Sequence, residues 1–138
     1  MPNAFVDTNV LIYAADQNIN PGRHTRIARE ILLLEHISIS VQVVNEFIAN
    51  SRNPKKLALD PTEERSWLQK LFQLHIASQT ADTVFLALRL QAHHSLSHWD
   101  SLIVASALET GCTVLYSEDL AHGADYDGLK VINPFREG

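Results

Sequence analysis

Four acidic residues stand at the edges of apolar segments spread along the chain. Asp7 follows Ala4-Phe5-Val6, Glu46 follows Val43-Val44-Asn45, Asp100 precedes Ser101-Leu102-Ile103, and Asp119 closes Val114-Leu115-Tyr116-Ser117-Glu118. A carboxylate set against an apolar run is costly when it is buried without a partner. Four that converge repel one another unless a cation joins them. Hard divalent ions take such oxygen ligands, and Mg²⁺ in particular combines a few carboxylates with waters and phosphate oxygens. These residue types therefore point to a metal site suited to phosphate chemistry, on condition that the fold gathers them.

The gathering falls to short elements that alternate along 138 residues, a length that fits one domain spanning 1–138. The short apolar or β-branched runs Asn3 to Val6, Ile37 to Ser40, His75 to Ser78, Thr113 to Tyr116 and Lys130 to Ile132 read as strands. Between them, helical spacing runs from Val10 to Ala15, Thr25 to Glu35, Val41 to Asn50, Thr62 to about Leu74, Thr80 towards His93, and Ser97 up to a stop at Gly111. Strands alternating with helices imply a three-layer α/β/α domain around a parallel sheet. In such a sheet ligands bind beyond the carboxyl ends of the strands. Asp7 and Asp119 directly follow strands. Asp100 opens a helix that leads into a strand, and Glu46 lies about one and a half turns into a helix that starts on the same rim. One rim can thus collect all four.

Each acid also has a plainer reading. Asp7, Thr8 and Asn9 are all good helix caps. Ser97 with Asp100 fits a capping box, Ser117-Glu118-Asp119 fits a turn or cap, and Glu46 is a border residue of its helix. Capping accounts for any one of them but not for four on one edge. His93, His94 and His98 suggest zinc only weakly, because a loop at Ser95 breaks their spacing and no cysteine joins them. Trp67 and Trp99 sit among apolar residues at helical spacing and read as core or interface residues rather than as platforms for bases.

Bulk properties bound the function. Hydrophobic residues make up 46%, enough for a globular core. The longest apolar run, Val10 to Ala15, is far short of a membrane span, and no basic-then-apolar leader opens the chain. The single cysteine, Cys112, has no intrachain partner, in keeping with a reducing compartment; a cytoplasmic protein with no membrane role is expected. The net charge of −5 argues against a general nucleic-acid binder, yet the four acids carry four of those charges and leave −1 for the remainder. Two basic groups, Arg23, Arg26 and Arg29, then Arg52, Lys55 and Lys56, are candidates for phosphate contact, with solvated helix faces and loops the commoner reason for such groups.

The words around the acids carry a resemblance. Val6-Asp7-Thr8-Asn9-Val10-Leu11-Ile12, Val44-Asn45-Glu46, Trp99-Asp100-Ser101-Leu102-Ile103-Val104-Ala105-Ser106-Ala107 and Tyr116-Ser117-Glu118-Asp119-Leu120, in that order, resemble the PIN-domain ribonucleases, with the VapC-like toxins of bacterial toxin–antitoxin pairs the nearest pattern. The resemblance implies a sheet order of 3-2-1-4-5, which makes the first and fourth strands neighbours. It implies an endoribonuclease acting on single-stranded or structured RNA, often tRNA, that leaves a 5′-phosphate. It also implies two partners: a second copy in a two-fold dimer, and an antitoxin whose C-terminal segment lies in an apolar groove and directs a basic side chain at the acids.

On the ligand set, Asp7, Glu46, Asp100 and Asp119 would hold one or two Mg²⁺ or Mn²⁺ ions. Asp7 and Asp100 are the first candidates for metal contact. Glu46 would orient water or serve a second ion, and Asp119 competes with its neighbour Glu118. Thr8, Asn9 and Ser117 would orient the carboxylates by hydrogen bonds. Two rivals stand beside this reading. A Mg²⁺-dependent phosphatase or phospho-acceptor would also use an aspartate after the first strand. However, the phosphatase pattern wants a second aspartate where Asn9 stands, and the acceptor pattern wants a lysine after a late strand, where Ser117-Glu118-Asp119 stands. A PIN-like module that binds RNA or protein without cutting would be expected to lose acids, and none is missing.

Overall fold

The computed structural model describes residues 3–137; residues 1, 2 and 138 of the expected domain lie outside the described residues. The chain runs β1 (Asn3–Val6), α1 (Thr8–Ala14), α2 (Arg23–Leu32), β2 (Ile37–Ser40), α3 (Val41–Ser51), α4 (Pro61–Leu71), β3 (His75–Ala77), α5 (Ala81–His94), α6 (His98–Glu109), β4 (Cys112–Tyr116), β5 (Asp125–Tyr126) and β6 (Leu129–Ile132). The sheet order is β3-β2-β1-β4-β6-β5. Its first five members are parallel and follow the expected 3-2-1-4-5 path, the expected fifth strand being β6. The difference is β5, which pairs antiparallel with β6 at the outer edge. Asp127 and Gly128 join the two with positive φ at both residues, the backbone of a tight hairpin turn.

β1 is the axis of the molecule. Phe5 and Val6 are fully buried between β2 and β4, as a central parallel strand covered on both faces requires. The helices form two packed groups, α1 to α4 and α5 with α6, around the sheet. In α6, every residue from Ser101 to Ala107 is buried, so this helix is a wall of the core rather than a surface stripe.

Local chemistry sets the boundaries. α2 starts at Arg23, two residues before the expected Thr25, and ends at Leu32 instead of Glu35. Leu33 and Leu34 beyond it are exposed, and His36 takes a left-handed backbone that turns the chain into β2. Pro61, one residue before the expected start at Thr62, is the first residue of α4, where its missing N–H costs nothing. Asp60 and Glu63 close a full capping box there. Gly111, at φ +78°, ends the α6 segment as expected.

Candidate metal centre

The register of β1 against β4 builds the site. Val6 pairs with Tyr116, and the Asp7 amide donates to the Tyr116 carbonyl at 3.0 Å. The next residues of the two strands, Asp7 and Ser117, are therefore brought side by side. Ser117 is fully buried, and its Oγ donates to Asp7 Oδ2 at 2.8 Å. The same Oγ accepts from the amides of Asp119 at 3.2 Å and Leu120 at 3.3 Å, which folds the Ser117-Glu118-Asp119 turn back towards β1. One hydroxyl thus orients Asp7 and shapes the loop that carries Asp119.

Asp7 is the N-cap of α1 and accepts from the Thr8 amide at 2.7 Å through Oδ1, so the capping reading is also correct. Asn9, on the first turn of α1, ties the rim together. Its Nδ2 donates to Asp119 Oδ2 at 3.2 Å and reaches Asp7 Oδ2 at 3.4 Å, while its Oδ1 accepts from the Glu118 amide at 3.2 Å. Thr8 Oγ1 donates to Glu46 Oε1 at 2.8 Å, linking α1 to α3. Asp100 is held from its own helix: Ser97 Oγ caps α6 by accepting from the Asp100 amide at 3.1 Å. The return bond of a capping box is not formed, and among the described residues no hydrogen bond engages the Asp100 carboxylate.

All four acids line one pocket of about 540 Å³, together with Asn9, Tyr13, Lys56, Trp99 and Glu118. None of the four has an ion-pair partner among the described residues. Burial pushes the Asp7 carboxyl up from 3.8 to about 6; the bonds from Ser117 and Thr8 pull against this, and the charges of Asp119 and Glu46 add to it. Glu118 belongs to a different cluster. Tyr13 Oη donates to it at 2.9 Å, and His24 Nε2 lies 3.8 Å from it. Burial, then the bond to Glu118, push the Tyr13 hydroxyl up to about 12. Between the two neighbours in sequence, Asp119 is the one held beside Asp7.

The donor set is oxygen only, as a hard divalent ion requires. Among the described residues no three acidic, histidine or cysteine side chains close into a ready-made cage. An Mg²⁺ ion held by one or two carboxylates, with waters filling the rest of its shell, does not need such a cage. The histidine cluster contributes nothing here. His94 lies 3.3 Å from Asp127 and packs edge-on against Tyr126, while His98 packs against Trp99.

A PIN-domain family model matches residues 4–123, the stretch that contains every residue of the pocket. The chain belongs to the PIN-domain family. Known structures share this PIN fold at low identity. A toxin–antitoxin complex from Klebsiella pneumoniae is 22% identical with a TM-score of 0.72, covering 98% of this chain and 100% of that one. VapC20 of Mycobacterium tuberculosis, described as a sarcin–ricin-loop-cleaving toxin, is 15% identical with a TM-score of 0.66, covering 85% and 90%. A DNA-bound VapBC complex from Salmonella typhimurium is 18% identical with a TM-score of 0.67, covering 95% and 97%. No curated protein sequence matches the chain.

Two features of this PIN domain were not legible from spacing. Trp99, expected in the core or an interface, is 62% exposed and so not in the core; it lies on the first turn of α6, ahead of the buried stretch Ser101 to Ala107, and borders the pocket. Of the two basic groups, Arg23 donates to the carbonyls of Phe135 and Arg136, Arg26 to that of Pro21, and Arg29 to those of Ala14 and Asp16. Arg52 pairs with buried Glu64. Only Lys56 reaches the acidic pocket.

Proposed function

We infer that this single-domain protein, spanning 1–138, is a divalent-metal-dependent endoribonuclease and the toxin of a toxin–antitoxin pair. The observation that supports this most directly is the convergence of Asp7, Glu46, Asp100 and Asp119, from four separate segments, on one pocket, with no basic side chain among the described residues paired to any of them. The fold shared with toxin–antitoxin structures supports the toxin role.

Asp7 and Asp100 would hold Mg²⁺ or Mn²⁺, with Asp119 and Glu46 completing the negative field. Such an ion, when bound, lowers the pKa of a water and offsets charge on the phosphoryl oxygens. The protein's own part is positioning. Ser117 and the Thr8 amide fix the Asp7 carboxylate, Asn9 spaces Asp7 from Asp119, and Thr8 leaves one Glu46 oxygen free to accept from a water. Lys56, exposed on the pocket wall, supplies a cation for a backbone phosphate. The substrate is RNA, tRNA or another structured RNA. The partners are a second copy and an antitoxin that sets a basic side chain among the four acids, in competition with the metal. The site of action is the cytoplasm; no helix of the described residues is long and apolar enough to cross a membrane.

The test is cleavage of total RNA and of a tRNA pool by purified, antitoxin-free protein in Mg²⁺ or Mn²⁺, in EDTA, and beside Asp100→Asn. Metal-dependent products with 5′-phosphate ends that vanish in EDTA and in the variant are expected. Stoichiometric RNA binding with no products from either pool would replace the enzyme with a binding module.

A further inference from the structure

Trp99 occupies a place that metal binding alone does not require. Its backbone is fixed. Gln42, a buried side chain at the start of α3, donates through Nε2 to the Trp99 carbonyl at 3.2 Å. Gln42 Oε1 accepts from Gln79 Nε2 at 2.9 Å, and the same Gln79 nitrogen lies 3.1 Å from Ser106 Oγ on α6. The tether joins the start of α3, the approach to α5 and the body of α6, so a tethered main chain presents the indole, which packs edge-on against His98 alone among the described aromatic rings. Every residue from Ser101 to Ala107 on the same helix is buried, whereas Trp99 is 62% exposed.

The ring borders two hollows at once. One is the acidic pocket. The other, about 450 Å³, is lined by Val41, Asn45, Ala49 and Gln79, and it shares Gln42, Glu46 and Ala49 with the first. Val41 is itself 45% exposed there. An occupant of this second hollow is therefore continuous with whatever lies against the acids. A polynucleotide with a phosphate at the acids meets that condition, since a base flanks each phosphate. Every base has a face that stacks on an aromatic ring, and one such stack raises single-strand affinity by about five- to a hundredfold.

We propose that the hollow beside Trp99 is a nucleobase subsite: a base next to the scissile phosphate stacks on the Trp99 indole, over Val41 and Ala49, with the exposed Asn45 amide at its edge. This rests on the nuclease reading and adds to it a base-binding contact that positions the strand. The chain has two tryptophans, so Trp67→Phe leaves Trp99 as the sole indole reporter. The experiment titrates that variant in Mg²⁺ with short single-stranded RNA made cleavage-resistant by phosphorothioate linkages, and reads indole fluorescence. Saturable quenching is expected. In parallel, Trp99→Ala should weaken binding about five- to a hundredfold and raise KM more than it lowers kcat, and Trp99→Phe should restore most of both. RNA that binds or is cut without quenching, or a Trp99→Ala variant with unaltered KM, overturns the subsite and leaves the nuclease intact. Quenching without cleavage of natural RNA keeps the subsite and removes the nuclease. A Trp99→Ala variant that sediments as monomer where the parent is dimer, with RNA affinity unchanged, assigns the hollow to a second copy instead. Failure of RNA to bind at all removes both.

Discussion

Asp7 meets two demands that pull against each other. As the cap of α1 and the neighbour of Ser117 it is a structural acceptor, and as a carboxylate it is 6% exposed beside Asp119 and Glu46. Its carboxyl titrates near 6 in the folded chain against 3.8 for the ordinary group, so the fold holds the proton more tightly than the unfolded chain does. Stability from this group is therefore greatest below about pH 4 and is lost as pH rises through 6. In EDTA, Asp7→Asn should raise stability at pH 7.5 by about 1–3 kcal/mol and flatten the melting temperature between pH 4 and 6, measured by calorimetry. A parent protein whose stability does not fall over that window would refute the assignment. Ser117→Ala removes the one hydroxyl that serves both Asp7 and the Asp119 loop. It should lower metal affinity or activity about 10- to 100-fold, read by metal titration of cleavage.

At the scale of elements, the helix that carries Asp100 is aimed by its first turn. Ser97→Ala deletes the cap of α6 and should cost about 1 kcal/mol in denaturant unfolding, with a smaller loss of activity than Asp100→Asn. Equal losses would mean that the cap, not the carboxylate, is what the site needs. The five parallel strands were readable because short apolar runs recur between helical segments, whereas the pairing of β1 with β4 that sets Asp7 beside the Asp119 turn came from the family resemblance and not from spacing. β5 was not readable, because two residues carry no period. Its signal was Asp127-Gly128, a dipeptide that favours the hairpin turn found there. The end of α2 at Leu32 was hidden for the opposite reason. Leu34 continues the helical spacing, yet it and Leu33 face solvent, and periodicity cannot separate a core leucine from an exposed one. Likewise four carboxylates could be placed on one rim from topology, whereas the choice of Asp119 over Glu118 depended on Asn9 and Tyr13, side chains whose reach no spacing rule supplies.

For the molecule as a whole, the charge problem is local. The chain carries −5 yet is read as acting on a polyanion, and of the lysines and arginines grouped early in the sequence only Lys56 lines the acidic pocket. Lys56→Ala should weaken single-stranded RNA binding in Mg²⁺ and reduce the slope of log affinity against log salt by about 0.7, from filter binding at several salt concentrations. An unchanged slope would place the backbone elsewhere. The order of assembly adds a consequence in time. β1 is made first, but its partner β4 and the Ser117 hydroxyl that holds Asp7 come more than a hundred residues later. A growing polypeptide that has not passed Cys112 has one open flank on β1, no Ser117 to orient Asp7 and no Asp119, and so cannot assemble the pocket. On the proposed ribonuclease reading, cutting therefore cannot begin before Asp119 has been made, and the earlier segments carry no assembled site.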